Sequence, residues 1–215
     1  MMVKNVLMLT RMTLALLLVS TLTCLSGKAQ EPRFRVISQT PIEAGRQSPI
    51  QIISVMFKGE MVEPGRQFLA DDDWLTALTF RVKNVSDRAI SYVAIRLRVP
   101  AASDRKNKFS EFIGPYSYGC TPVAPCRPDT TGSHKEIAPG ETQEVAVLEG
   151  TYKNFTAVLT QHGASTPVVS AEYDIDSIFF DRDTTWSRGY LFRRDPLRPN
   201  TYLMGDKYEL PKQPK

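Results

Sequence analysis

An all-β fold is what this sequence predicts: an antiparallel β-sandwich with one short helix and a long disulfide-stapled loop. Three observations carry the expectation. Residues 75–99 alternate with period two twice over, with Leu78, Phe80 and Val82 against Thr79, Arg81 and Lys83, then Val93, Ile95, Leu97 and Val99 against Ala94, Arg96 and Arg98. Each run is the pattern of a strand with one buried and one solvated face. Further runs of this kind are set off by Pro-Gly turns at 64–65 and 139–140. Only residues 152–162 carry helical spacing, and many short strands with turn residues between them point to a sandwich.

The amino-terminal stretch is set aside before the elements are placed. Lys4 and Arg11 precede an uncharged run over 12–25, whose apolar part falls short of the about 20 residues of a membrane span. Gly27-Lys28-Ala29 puts small residues where a signal peptidase reads them. Residues 1–29 are therefore expected to be a cleaved secretory signal peptide, leaving a secreted or periplasmic protein with no transmembrane segment after signal cleavage. Cys24 follows Thr23 rather than the small residue of a lipid-attachment site and is assigned to the signal. The segment holds three of the 27 basic residues (Lys4, Arg11, Lys28) and none of the 23 acidic ones, so the remainder stands at 24 to 23, or +1. No global attraction to nucleic acid survives that balance, and no nucleic-acid partner is expected. The remainder suits one domain, 30–195, followed by a Pro-rich extended C-terminal tail over 196–215.

In chain order, residues 34–37 read as a lead-in strand and 50–57, IQIISVMF, as a strand covered on both faces, since four of its eight residues are β-branched. Glu63-Pro64-Gly65-Arg66 should turn, because Pro sets φ at the first corner and Gly accepts positive φ at the second. The alternating pair at 78–99 follows, joined by Asn84 to Arg88, whose Asn, Ser and Asp bond their own backbone. The two runs are expected to lie side by side as an antiparallel pair.

Residues 101–135 contain Pro115, Pro122, Pro125 and Pro128 and read as an excursion from the sheet, because each Pro removes a ladder donor. Long loops of this kind are often functional. Cys120 and Cys126, the two cysteines beyond the signal, are expected to form one disulfide in an exported chain, worth about 2.4 kcal/mol for so short a ring. A metal site is the poorer alternative, with only His134 and His162 to complete it. Residues 142–148 form the next strand, with Val145 and Val147 inward. Tyr152, Phe155, Leu159 and His162 recur at helical spacing before Gly163. Val169, Ala171, Tyr173, Ile175 and Phe179 then alternate inward in one long strand, 181–184 turns, and 186–192 returns as a hairpin.

The stretch LTFRVKNVSDRAISYVAIRLRV, with its Asn-x-Ser turn leading to Ile90, resembles the strand-turn-strand signature of bacterial immunoglobulin-like domains in uncharacterised exported proteins. Ala138-Pro139-Gly140-Glu141 before Val145 and Val147 is similar to a later turn of those domains, and FFDRDTTW, 179–186, to their aromatic, acidic hairpin, with Arg182 where Gly is more usual. The resemblance implies an immunoglobulin-like β-sandwich and no catalytic residue.

Candidate sites are few. Tyr116 and Tyr118 on the stapled loop are aromatic anchors of the kind protein interfaces favour, and a protein partner is the first expectation. Trp186, Arg188 and Tyr190, with Phe192, Arg193, Arg194 and Arg198, interleave aromatic and basic side chains and could bind a glycan or a single-stranded nucleic acid, although packing of alternate aromatics with Arg snorkelling outward is the favoured explanation of the pattern. Asp174, Asp176, Asp181 and Asp183 could supply oxygen to Ca²⁺, but lack an Asp-x-Asp-x-Asp-Gly loop; strand alternation reads the first two as a solvated face. Asp71-Asp72-Asp73 reads as a solvated approach to a strand, and the outward Arg81, Lys83, Arg96 and Arg98 as the wet side of a sheet. No nucleophile elbow, zinc-protease helix or cofactor signature is present, so no catalytic residue, metal or cofactor is assigned. The expected function is that of an exported, non-catalytic binding protein of the cell envelope or extracellular space, with a carbohydrate-binding module second and a hydrolase third.

Overall fold

Twelve strands and one 3-10 turn account for most of the described residues of the computed structural model, which are 33–40, 46–100, 109–119, 135–147 and 167–211, with 157, 159 and 161. The strands are β1 (Arg33–Gln39), β2 (Ile50–Phe57), β3 (Glu60–Val62), β4 (Gln67–Ala70), β5 (Leu78–Asn84), β6 (Tyr92–Pro100), β7 (Phe109–Gly119), β8 (Thr142–Val147), β9 (Ser170–Phe179), β10 (Thr184–Ser187), β11 (Tyr190–Asp195) and β12 (Arg198–Lys207). The fold is all-β and mostly antiparallel, in the order β12-β11-β10-β9-β6-β7-β8-β5-β2-β3. β1 joins β9 in parallel and β4 antiparallel. Ala157, Leu159 and Gln161 have helical backbone, and Leu159 is buried; the rest of the expected helix lies outside the described residues. So do residues 1–29, His134, Cys120 and Cys126.

The parity read from the alternating stretch holds on its inner side. Leu78, Phe80, Val82, Val93, Ile95, Leu97 and Val99 are all completely buried, and each contributes on the order of 1.5–3 kcal/mol before entropy. Their pairing does not hold. β5 pairs with β2 and β8, and β6 with β7 and β9. The Asn84 turn therefore carries the chain from one part of the sheet to another. Asn84 is itself buried; its amide donates to the Arg88 and Ile137 carbonyls at 2.8 Å, and its oxygen accepts from Ser86 N and Oγ at 2.9 and 2.7 Å. A side chain saturated in this way replaces the ladder that a hairpin would have supplied. β5 and β9 have three strands between them, yet the Phe80 ring lies 4.9 Å from Tyr173 and 4.9 Å from Tyr116 on β7. The sheet curls around one core to make those contacts.

Both expected Pro-Gly turns form. Arg66 N donates to Glu63 O at 3.1 Å with Gly65 at φ +84°, and Glu141 N to Ala138 O at 3.0 Å with Gly140 at φ +80°. Bulges correct several other expectations. A register shift between Ile52 and Ser54 turns Ile53 outward to 45% exposure, so β2 is not covered on both faces. Residues 109–119 are a strand between β6 and β8, not an excursion from the sheet. The register jumps from Ile95↔Tyr116 to Leu97↔Phe112, and Pro115 falls in that jump, where no ladder bond is asked of it. In β9, Ala94 faces Ser177 and Ile95 faces Ile175, which leaves Asp176 as the extra residue. Parity flips there: Ala171, Tyr173 and Ile175 are buried before the bulge, Ile178 and Phe180 after it, while Val169 is exposed.

The segment after Asp195 is extended, as expected, but it belongs to the sheet. β12 pairs with β11, and Tyr208 is buried in the core. No helix among the described residues is long and apolar enough to cross a membrane.

Candidate functional site

The hairpin expected as one return strand at 186–192 is divided by a two-residue turn. Ser187 faces Tyr190 across it, and Arg188 and Gly189 both take positive φ, +50° and +93°. That is the turn geometry whose twist suits a hairpin. Gly189 is needed there for a second reason. A Cβ on it would stand 2.9–3.1 Å from Cβ, Cγ and Cδ of Arg46, so the bare backbone lets the Arg46 stem lie against the turn. Residues 46–48 are strapped down from two sides, since Trp186 Nε1 donates to Gln47 O at 3.1 Å and Leu210 N donates to Gln47 Oε1.

Behind this turn, register places opposite charges side by side. Arg96 on β6 faces Asp174 on β9, and Arg98 faces Glu172. Arg96 Nε donates to Asp174 Oδ1 at 2.8 Å and its Nη2 to Oδ2, a two-pronged pair that is almost wholly covered. Arg98 Nη1 lies 3.6 Å from Glu172, which also accepts from Thr40 Oγ1 at 3.4 Å. Arg96 is thus not on a wet face: at 6% exposure it is buried. Asp176, at the bulge, is 9% exposed. Burial raises its carboxyl pKa above the usual range, with the Arg96 and Arg188 guanidiniums opposing the shift.

These pieces enclose a cleft of about 460 Å³, within the roughly 300–1,000 Å³ of small-molecule sites. Trp186, Ile175, Phe192 and Met204 give it apolar surface, while Arg46, Arg96, Arg98, Arg188 and Asp174 give it charge. The Arg46 guanidinium carbon sits 5.7 Å from the centroid of the Tyr190 ring, and Tyr190 is also in the lining.

Of the residues singled out in the sequence, Trp186, Arg188 and Tyr190 come together in this cleft. Tyr116 and Tyr118 do not. Tyr116 is completely buried, donates its hydroxyl to the Leu75 carbonyl and packs on Phe80, and burial pushes its phenol pKa well up. It is a core residue and offers no ring to a partner. Tyr118 is half-buried, and its hydroxyl donates to Lys135 O at 2.7 Å. The Ca²⁺ candidates are dispersed: Asp174 pairs with Arg96, Asp181 with Arg88 at 2.6 Å, and Asp181 Oδ1 accepts the Asp183 and Thr184 amides. Among the described residues no group of three or more His, Cys, Asp or Glu is placed to hold a metal. Asp71 and Asp72 are not simply solvated; Asp71 pairs with Lys58 at 2.8 Å, and Asp72 with the fully buried Arg35.

Sequence reasoning missed Arg46, and it read Arg96 and Arg98 as the wet side of a sheet and Asp174 as a calcium candidate or a solvated face rather than as lining of this cleft. Arg46 sits in a connection with no periodicity, and the other three alternate like any solvated strand face. No protein-family model, curated protein or solved structure matches this chain.

Proposed function

We propose that this chain is an exported, non-catalytic binding protein, secreted or periplasmic, whose ligand seats in the cleft beside the Trp186 hairpin. The scaffold in this reading is an immunoglobulin-like β-sandwich, supported by the Asn84 turn and by the Phe80–Tyr173 contact across the curled sheet. Cys120 and Cys126 form its one disulfide. The observation that carries the function is the cleft itself, a concavity of about 460 Å³ lined by both apolar and charged side chains. Most of those groups stand on paired strands, which hold a binding constellation more firmly than loops do.

Two earlier expectations lose ground to this one. With Tyr116 in the core, the 109–135 segment has lost one of its two aromatic anchors, so the binding surface moves to the cleft. A carbohydrate platform needs a broad open aromatic face. Trp186 is only 4% exposed, and Arg46 lies over Tyr190. Binding through polar and charged contacts is the better fit.

The test is a thermal-shift survey of the purified chain and its Tyr190→Ala variant against sugars, amino acids, peptides and organic anions. At least one class should raise the Tm of the parent by about 2–4 °C and leave the variant unmoved. A parent that no class shifts, or a shift that the variant retains in full, overturns the cleft as the binding site.

A further inference from the structure

We infer that the cleft selects a small organic oxyanion, a carboxylate or phosphate ester carried on an apolar body. The inference rests on the cleft being the binding site and adds the charge of what it binds. Four guanidiniums, from Arg46, Arg96, Arg98 and Arg188, line the cleft against one carboxylate, Asp174. Counting Glu172 and Asp176, which sit against Arg98 and near Arg96 and Arg188, the arginines still outnumber these carboxylates by four to three among the described residues. Burial also holds back ionisation of Asp176, which tilts the balance further.

The arginines do not play one part. Arg96 and Arg98 are tied across the sheet to Asp174 and Glu172 and form a fixed wall. Arg46 and Arg188 belong to the rim, and the packing of the Arg46 stem on Gly189 sets the two rim arginines on neighbouring backbone. Among the described residues the cleft lining thus carries more guanidinium than carboxylate groups. Guanidinium forks suit the planar, two-oxygen face of a carboxylate and the oxygens of a phosphate equally. In the same lining Trp186, Phe192 and Met204 provide apolar surface, where a fully hydrophilic ion such as inorganic phosphate would gain nothing. The apolar body of the ligand is assigned to that surface.

Calorimetric titration of the whole chain with phenylacetate, phenyl phosphate and the neutral near-isostere phenylacetamide tests this. The two anions should bind at least about tenfold more tightly than the amide, and raising salt from about 50 to about 500 mM should weaken them. The double variant Arg46→Gln/Arg188→Asn should lose about tenfold in anion affinity; Asn tolerates the left-handed backbone at 188, and an unchanged Tm would show that the fold is intact. Whichever anion binds more tightly identifies the oxyanion as carboxylate or phosphate ester. If phenylacetamide binds as well as phenylacetate, anion selection is wrong while the cleft remains a binding site. If the anions bind the double variant as tightly as the parent, they bind elsewhere and the inference falls. If no probe binds at about 10 mM, and the thermal-shift survey is also blank, both readings fall together.

Discussion

β5 and β6 make an instructive pair, because both are interior strands with the same inward alternation and yet their outer faces end differently. On β5, Arg81 and Lys83 remain exposed, and Arg81 stands 3.5 Å from Glu144 with both side chains about half in water. On β6, Ala94 is 2% and Arg96 6% exposed. The inner faces are alike, since each is sealed by the same core. The outer face of β6 differs because Arg96 and Arg98 pair with Asp174 and Glu172 on β9 and share the cleft lining with Arg46, Ser48 and the Arg188 turn. A charged residue at an outward position therefore reports parity, and only its neighbours decide whether it is solvated.

That comparison can be broken most directly at the shared core. Phe80→Ala removes a fully buried ring that touches both Tyr116 and Tyr173, and should cost about 3–5 kcal/mol in urea unfolding. A variant that melts like the parent would mean that β5 does not face the core. The outer faces should differ in the next-largest degree. Arg96→Ala strands the part-buried Asp174 carboxylate and should cost about 3 kcal/mol, whereas Arg81→Ala on β5 should cost less than about 0.5 kcal/mol. Equal costs would erase the distinction between the two strands.

The smallest effect concerns Asp176, the bulge residue beside that covered face. Its folded pKa is raised above its unfolded value, so its contribution to stability is complete below the ordinary carboxylate range and is lost as pH rises through the raised value. Asp176→Asn should therefore raise the Tm at neutral pH and converge on the parent below about pH 3.5. A lower Tm at neutral pH would show that Arg96 and Arg188 outweigh burial.

Much of this was legible along the chain where local chemistry is decisive. The inward residues of β5, β6 and β8 alternate because a strand exposes successive side chains to opposite faces, and the Pro-Gly pairs turn because their φ values leave little choice. Trp186, Arg188 and Tyr190 were visible as a cluster because they are adjacent in sequence. β7 was obscured by Gly114 and Pro115, which read as a break until a bulge absorbs them. The division of the 186–192 run at Arg188 was obscured as well, since Arg at positive φ is not a usual hairpin signal. Tyr116 looked like a surface anchor because loop and strand residues carry no label of their own.

The sequence by itself determined the alternating strands β5, β6 and β8, the two Pro-Gly turns and which side of β5 and β6 goes inward, all properties that span a few residues. Tertiary structure alone decided that β5 and β6 part company, that Asp176 bulges and reverses the parity of β9, and that Arg46 meets Arg96 and Arg188 around one cleft. Those outcomes depend on contacts between segments as many as 163 residues apart, as Leu210 is from Gln47. No local pattern can encode which distant strand will cover a given face.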